Sequence, residues 1–319
     1  MQPYVFKPKS RIRDFIIEKF IAVNAFTALI VILLIFIFIF KESIPIFTSP
    51  DVQSEASLDK MIFKQQYYEG RDPKWSWQPN SDVPKYSLLP LFLGTLKAAI
   101  VAMLFSVPLA VGAAIYTSEF APRRLREIIK PVIELLAGIP SVVLGFFALI
   151  VLASILQTAF GFTYRLNSIN AGIALGLAVI PIIFTISEDA MTSVPQSLRE
   201  AAMALGANPW QISFTMVLPA ALPGIAAGIV LGFGRAIGET MIVLMASGNA
   251  AIISGGFTES IRTLSATIAA ELAEVVFGSA HYNVLFFLGT LLFVFTFFVN
   301  LGGELVLSRL KDRLQGRQK

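Results

Sequence analysis

The chain has 319 residues, of which 55% are hydrophobic and 14% charged, with a mean hydropathy of +0.73 and a net charge of +4. Soluble domains carry about 25% charge, so a soluble globular protein is excluded. There are 0 cysteines and 1 histidine, His281, and no GxxxxGK[ST] loop, which removes disulfides, thiolate metal sites, an HExxH pair and a P-loop ATP site in this chain.

The first long apolar run, Phe20 to Phe40, carries no charge. At about 1.5 Å per residue it reaches roughly 31 Å, enough for the hydrocarbon core of a bilayer. A cleaved signal peptide has a shorter apolar core followed by small residues. Here Lys41-Glu42-Ser43-Ile44-Pro45 follows, so the run reads as an uncleaved anchor after a basic N-terminus, residues 1–19.

The segment from Lys41 to Leu89 mixes aromatics with Pro, Gly and charge, as in Lys64-Gln65-Gln66-Tyr67-Tyr68-Glu69-Gly70 and Lys74-Trp75-Ser76-Trp77-Gln78-Pro79-Asn80. Poor periodicity predicts turns and short extended pieces rather than a helix. An ordered cap with Trp and Tyr at the membrane interface fits this composition. A docking surface for an external partner is the alternative.

Five further spans are predicted at Leu91–Tyr116, Val132–Leu156, Ala171–Ser187, Leu222–Ala246 and Val284–Leu301. Lys97, near the outer end of the second, is expected to snorkel. Six spans put both termini on one side. Lys7, Lys9, Arg11, Arg13 and Lys19 precede the first span, Arg123, Arg124, Arg126 and Lys130 follow the second, and Arg309, Lys311, Arg313, Arg317 and Lys319 follow the sixth. The positive-inside rule makes these sides cytoplasmic and residues 41–89 extracytoplasmic.

The loop between spans four and five reads Ser193-Val194-Pro195-Gln196-Ser197-Leu198-Arg199-Glu200-Ala201-Ala202-Met203-Ala204-Leu205-Gly206-Ala207-Asn208-Pro209-Trp210-Gln211. Ser197 and Glu200 have capping-box spacing, although Pro195 also suits a helix start. Gly206 suits the left-handed position that ends a helix, Asn208 can cap the next, and Pro209 fits its first position. The prediction is helix, tight turn, helix, with Leu218-Pro219 leading into span five.

These residues resemble a known pattern. Glu200-Ala201-Ala202, Gly206 and Leu218-Pro219 match the EAA loop of ABC importer permeases, EAA-x3-G-x9-I-x-L-P, with Met216 in place of Ile. Val107-Pro108-Leu109-Ala110-Val111-Gly112, Ser118-Glu119-Phe120-Ala121-Pro122, Ala137-Gly138-Ile139-Pro140-Ser141 and Gly234-Arg235-Ala236-Ile237-Gly238-Glu239-Thr240 look like the phosphate permeases. The extra first span and the stretch from Arg262 to Ile268 favour the C-type over the A-type subunit of the Pst system. The resemblance covers about Leu91 to Gly303. It implies an all-α, MetI-like type I ABC importer permease fold at residues 90–303, between the anchor and a basic C-terminus at 304–319, with the loop at 197–219. It also implies a bacterial inner-membrane location and, as partners, an A-type sister permease, two ATP-binding subunits and an external phosphate-binding protein. ATP and Mg would be bound by the partner ATPase, with no cofactor in this chain, no enzyme activity of its own and no nucleic acid.

Span five carries the candidate pathway chemistry. Gly224, Gly228 and Gly232 recur every four residues and read as helix packing positions. Arg235 and Glu239, four apart, are expected on one helix face with Thr240 beside them. Charges at bilayer depth are costly unless paired or wet, so two readings stay open: a structural ion pair, or an anion pathway in which Arg235 meets phosphate and Glu239 holds it when empty. Beyond the span, Arg262 is expected to pair with Glu271 or Glu274, and His281 to be an interfacial residue. Another oxyanion as cargo, an intramembrane enzyme and a passive channel are the competing functions. The single histidine opposes the enzyme, and an EAA loop has no use in a channel.

Overall fold

The computed structural model describes residues 11–67, 72–253 and 255–314. Lys7, Lys9, Arg317, Lys319, Tyr68, Glu69 and Gly70 lie outside these, as do the side chains of Arg11, Arg13, Lys311 and Arg313. The architecture is all-α, with six helices long and apolar enough to cross a membrane.

Helix α1 (Arg11–Ser43) lies against the last helix, α15 (Ala280–Leu314), through edge-to-face contacts such as Phe38 on Phe286. Phe26, Leu29 and Ile32 are exposed, the surface expected of a helix surrounded by lipid.

The next segment is more helical than its periodicity predicts. Three short helices, α2 (Pro45–Thr48), α3 (Pro50–Glu55) and α4 (Leu58–Ile62), precede a hairpin of β1 (Trp77–Gln78) and β2 (Lys85–Tyr86). Each helix is too short to show a period, but each has a local start signal: Pro45 and Pro50 in the first turn, and the Ser57 side chain accepting from the Lys60 N–H. Each buries one side chain, Ile46, Val52 or Met61, in a small core shared with Trp77, Tyr86 and the neighbouring ends of the bundle helices.

Helix α5 (Leu89–Ile115) continues into a π-helical turn, Tyr116–Phe120. The third predicted span is corrected. Val132 belongs to a separate helix, α6 (Arg123–Ala137), and the span begins after Gly138-Ile139-Pro140. It comprises α7 (Ser141–Phe147), a π turn at Ala148–Leu152 and α8 (Ala153–Phe160). Ile128, Val132 and Leu135 form an outward apolar stripe on α6, which reads in sequence as the start of the next span.

Helix α9 (Ser168–Thr192) is longer than expected at both ends. The side chain of Asn167 caps it by accepting from the Asn170 N–H at 2.9 Å. Helices α10 (Gln196–Ala204) and α11 (Pro209–Ile212) form the loop, and a π turn at Ser213–Val217 joins α11 to α12 (Leu218–Gly238). Pro209–Gly238 is thus one helical rod of 30 residues. The chain then forms α13 (Met241–Ala246), α14 (Leu264–Glu271) and α15.

The main core lies between α5, α9 and α12. The glycines of α12 have the packing role that the sequence suggests. A Cβ on Gly232 would sit 2.8 Å from Ile183 Cγ1, and one on Gly228 would sit 3.2 Å from Ile186 Cβ. Close approach of α12 to α9 therefore requires residues without a side chain.

Candidate functional site

Helix α10 has no side-chain cap. Pro195 occupies the cap position, so the Ser197–Glu200 capping box is not formed. The end of α10 follows its sequence signal. Gly206 has φ +83°, its N–H donates to the Met203 carbonyl at 2.9 Å, and the Ala207 N–H donates to the Ala202 carbonyl at 3.1 Å. These paired bonds are a Schellman motif. Nothing lies within 4 Å of where a Gly206 Cβ would be, so the requirement for glycine is one of backbone conformation. The second helix starts with a complete capping box: Asn208 Oδ1 accepts from the Gln211 N–H and Gln211 Oε1 from the Asn208 N–H, both at 2.9 Å.

The resulting unit projects from the bundle. Leu205 is 90% and Trp210 62% exposed, and Glu200 and Ala201 are exposed, while Ala202 is buried against the body. Leu218 and Pro219 sit at the start of α12, half-buried.

Ion pairs invisible in the sequence fix the surroundings of this loop. Glu188, in the last turns of α9, receives Arg126, Lys130 and Thr192, and Lys130 also reaches Asp189 at 2.8 Å. These pairs explain how α9 runs past two acidic residues. The hydrogen bonds from Lys130 to Asp189 and Glu188 hold its pKa above the ordinary lysine value. Arg199 of α10 reaches Glu119 on the π turn at 2.8 Å. The only sequence signal for Glu119 is its place in Ser118-Glu119-Phe120-Ala121-Pro122.

The fifth span departs most from expectation. Helix α12 stops at Gly238, and Glu239 has extended backbone (φ −67°, ψ 135°). Arg235 and Glu239 therefore do not share a helix face, and among the described residues no ion pair joins them. The break is supported from outside: Ser265 Oγ on α14 donates to the Glu239 carbonyl at 2.8 Å. Irregular backbone at membrane depth is tolerated where neighbouring protein satisfies it in this way. Glu239 Oε1 instead accepts from the Thr240 N–H at 3.2 Å. Thr240 lines an open groove of about 510 Å³ with Gly238, Ser265, Ile268 and Leu292. Arg235 is exposed on α12 beside Leu231, on the side away from the buried Ala236 and Ile237. The structural ion pair is thus not formed in this conformation, and among the described residues the exposed guanidinium has no ion-pair partner.

At the opposite end of the bundle from the loop, Arg262 pairs with Glu271, as one of the two expected choices. His281 Nε2 shares a 2.9 Å hydrogen bond with Glu271 Oε2, and Trp77 Nε1 donates to Oε1 at 3.0 Å. Burial acts to raise the Glu271 pKa, but His281, Arg262 and Trp77 together outweigh it and leave the carboxyl below its ordinary value. Lys97 donates to the Gly256 carbonyl at 3.0 Å rather than simply reaching for water.

The family described as "Binding-protein-dependent transport system inner membrane component" matches residues 106–312. A probable ABC transporter permease protein, YqgH of Bacillus subtilis (strain 168), is 38% identical over 223 residues, covering 70% of this chain and 72% of that protein. The phosphate transport system permease protein PstC of Mesorhizobium japonicum is 35% identical over 257 residues, covering 75% of this chain and 78% of its own. Two solved structures share the fold: the inward-facing MetNI methionine ABC transporter (19% identity, TM-score 0.56, 70% of this chain and 95% of that one) and a bacterial ABC transporter involved in the import of alginate (16%, 0.61, 94% and 99%). With six membrane-length helices, an EAA-type loop and these relatives, the chain belongs to the inner-membrane permeases of binding-protein-dependent ABC importers, in the PstC group.

Proposed function

We propose that the chain is the C-type permease subunit of an ATP-driven phosphate importer, with both termini and the EAA loop cytoplasmic. The exposed loop, with Glu200, Ala201, Ala202 and the Gly206 turn, docks into an ATP-binding subunit. A sister permease covers the Arg235 face of α12, and an external binding protein delivers phosphate near the hairpin end. ATP and Mg belong to the ATPase pair, and this chain performs no hydrolysis.

The observation that carries this reading is the unbroken rod from Pro209 to Gly238, which joins the loop to Arg235. The phosphate assignment draws on the PstC relatives and on the guanidinium, whose paired N–H donors suit a tetrahedral oxyanion. Arg235 contacts the anion, while Glu239 and Thr240 shape the break beside it. The test is uptake of labelled phosphate by vesicles holding all the subunits, with sulfate and molybdate as competitors. Arg235→Gln should abolish uptake at normal membrane levels, and uptake preserved in that variant removes Arg235 from the pathway. Preferential transport of another oxyanion changes the cargo and leaves the transporter class intact.

A further inference from the structure

The loop's two helices reach the bundle by different routes. Helix α11 is continuous with α12, so its movement passes along the backbone. Helix α10 ends in a turn at Gly206 and is joined on its other side by Ser193 to Pro195. Among the described residues of α10, Arg199 alone makes an ion pair. Its Nη2 donates to Glu119 Oε1 at 2.8 Å and to the Met191 carbonyl at 2.9 Å, and its Nη1 donates to the Val194 carbonyl at 3.1 Å. Met191 is in the last turn of α9; its carbonyl accepts from the Val194 N–H at 3.2 Å and also from Arg199, a cation of favourable dipole sign at a helix C-terminus.

Glu119 lies on the π turn that ends α5, and the next residue, Phe120, packs on Trp210 of α11 with ring centroids 4.9 Å apart. Two consecutive residues of this turn therefore hold the two loop helices, one by charge and one by ring contact. Single π turns recur at functional sites. The Arg199 and Glu119 side chains are only 17% and 8% exposed, so the pair is shielded from solvent and removal of either partner strands a charge.

We propose that the Arg199–Glu119 pair is the strut that makes α5 and α9 follow the EAA loop, with both acting as positioning residues for transport. The proposal rests on the importer reading. Movement of the loop drives α12 through its own backbone, and the Arg199–Glu119 pair is the ion pair that carries it to α5, beside the Phe120–Trp210 ring contact and the short Ser193–Pro195 link to α9. Loss of the pair lets the loop and α12 move without α5 and α9, so ATP is hydrolysed with little uptake.

The absence of native cysteine permits a direct test. The complete complex with Glu119→Cys/Arg199→Cys is assayed in vesicles for phosphate uptake and ATP hydrolysis, before and after treatment with a short bifunctional thiol reagent. Before treatment, uptake per ATP hydrolysed should fall about tenfold while hydrolysis stimulated by the binding protein persists. Cross-linking should restore most of the ratio. Glu119→Gln and Arg199→Gln should show the same uncoupling, and the exchanged pair Glu119→Arg/Arg199→Glu should recover part of it. An unchanged ratio in the double-cysteine protein overturns the proposal. So does a parallel loss of uptake and hydrolysis that cross-linking does not reverse, which marks the pair as merely structural. Failure of the unaltered complex to transport phosphate refutes the cargo instead, and the ratio of uptake to hydrolysis is then read with sulfate or molybdate as the transported anion.

Discussion

Glu188, buried, and Glu271, half-buried, are carboxylates at opposite ends of the bundle, and each gathers three partners. Their partners differ in kind. Glu188 receives Arg126 and Lys130 from a single helix, α6, and Asp189 shares Lys130. Both cations are 33% exposed, so water solvates part of each. Glu271 receives Trp77 from the hairpin, Arg262 from the strand-like approach to α14 and His281 from α15, and these partners belong to separate parts of the chain. The first arrangement is redundant and local. The second is a single hub on which three segments depend. The lesson is that the number of partners does not set the cost of removing an ion; what each partner has left afterwards does.

This contrast can be broken by mutation. Glu271→Gln should have the largest effect, about 3 kcal/mol, because the half-buried Arg262 is left without its counter-charge. The expected result is a released hairpin in a protein that still inserts, seen as protease cleavage between residues 64 and 86 and a red shift of Trp77 fluorescence in a Trp75→Phe/Trp210→Phe background. Equal sensitivity of Glu188→Gln would remove the distinction. That variant should cost about 1.5 kcal/mol, the scale of a hydrogen bond to a charged group, since Lys130 keeps Asp189. Adding Asp189→Asn should cost more than the two single changes summed, as expected for groups sharing one partner; simple additivity in detergent melting curves would refute the shared role.

Acid should sharpen the contrast further. The folded pKa of Glu271 lies below its ordinary value of 4.5, so ionised Glu271 stabilises the hairpin above that pH, and the contribution is lost as pH falls through the folded pKa. Hairpin fluorescence should therefore change below about pH 4.5 and be insensitive to this range in Glu271→Gln. The smallest effect belongs to Arg123 and Glu127, paired at i,i+4 with side chains 92% and 63% exposed. Arg123→Ala should move the melting midpoint by no more than about 0.5 kcal/mol implies, the typical limit for such surface pairs.

What the sequence makes legible follows the range of each signal. Most of the spans are located because lipid demands apolar side chains over a fixed length, although the fifth is carried past the end of its helix at Gly238 to Ala246. The loop turn is legible because Gly206 and the Asn208–Gln211 box act within four residues. The third span is misplaced because hydropathy cannot separate the outward stripe of α6 from a true span. The break after Gly238 depends on Ser265, and the extension of α9 depends on Arg126 and Lys130, so neither has a local signature. The same holds at the candidate site. Arg235 is visible as a charge in an apolar run, but its separation from Glu239 is set by packing of α14.

The contact of Gly228 and Gly232 with α9 gives the Pro209–Gly238 rod a fulcrum. At about 1.5 Å per residue, Gly228 lies roughly 28 Å from the loop end of the rod and roughly 15 Å from its far end. Any tilt about that contact swings the two ends in opposite directions, and the shorter arm travels about half as far. A small inward step of the loop therefore corresponds to a smaller outward step at Arg235, so one stiff helix can close one mouth of a passage while opening the other. The leverage ratio depends on where the side-chain-free positions fall along the helix. Moving that seam by a single turn, about 5.4 Å, would shift the exchange between force and distance at the Arg235 end.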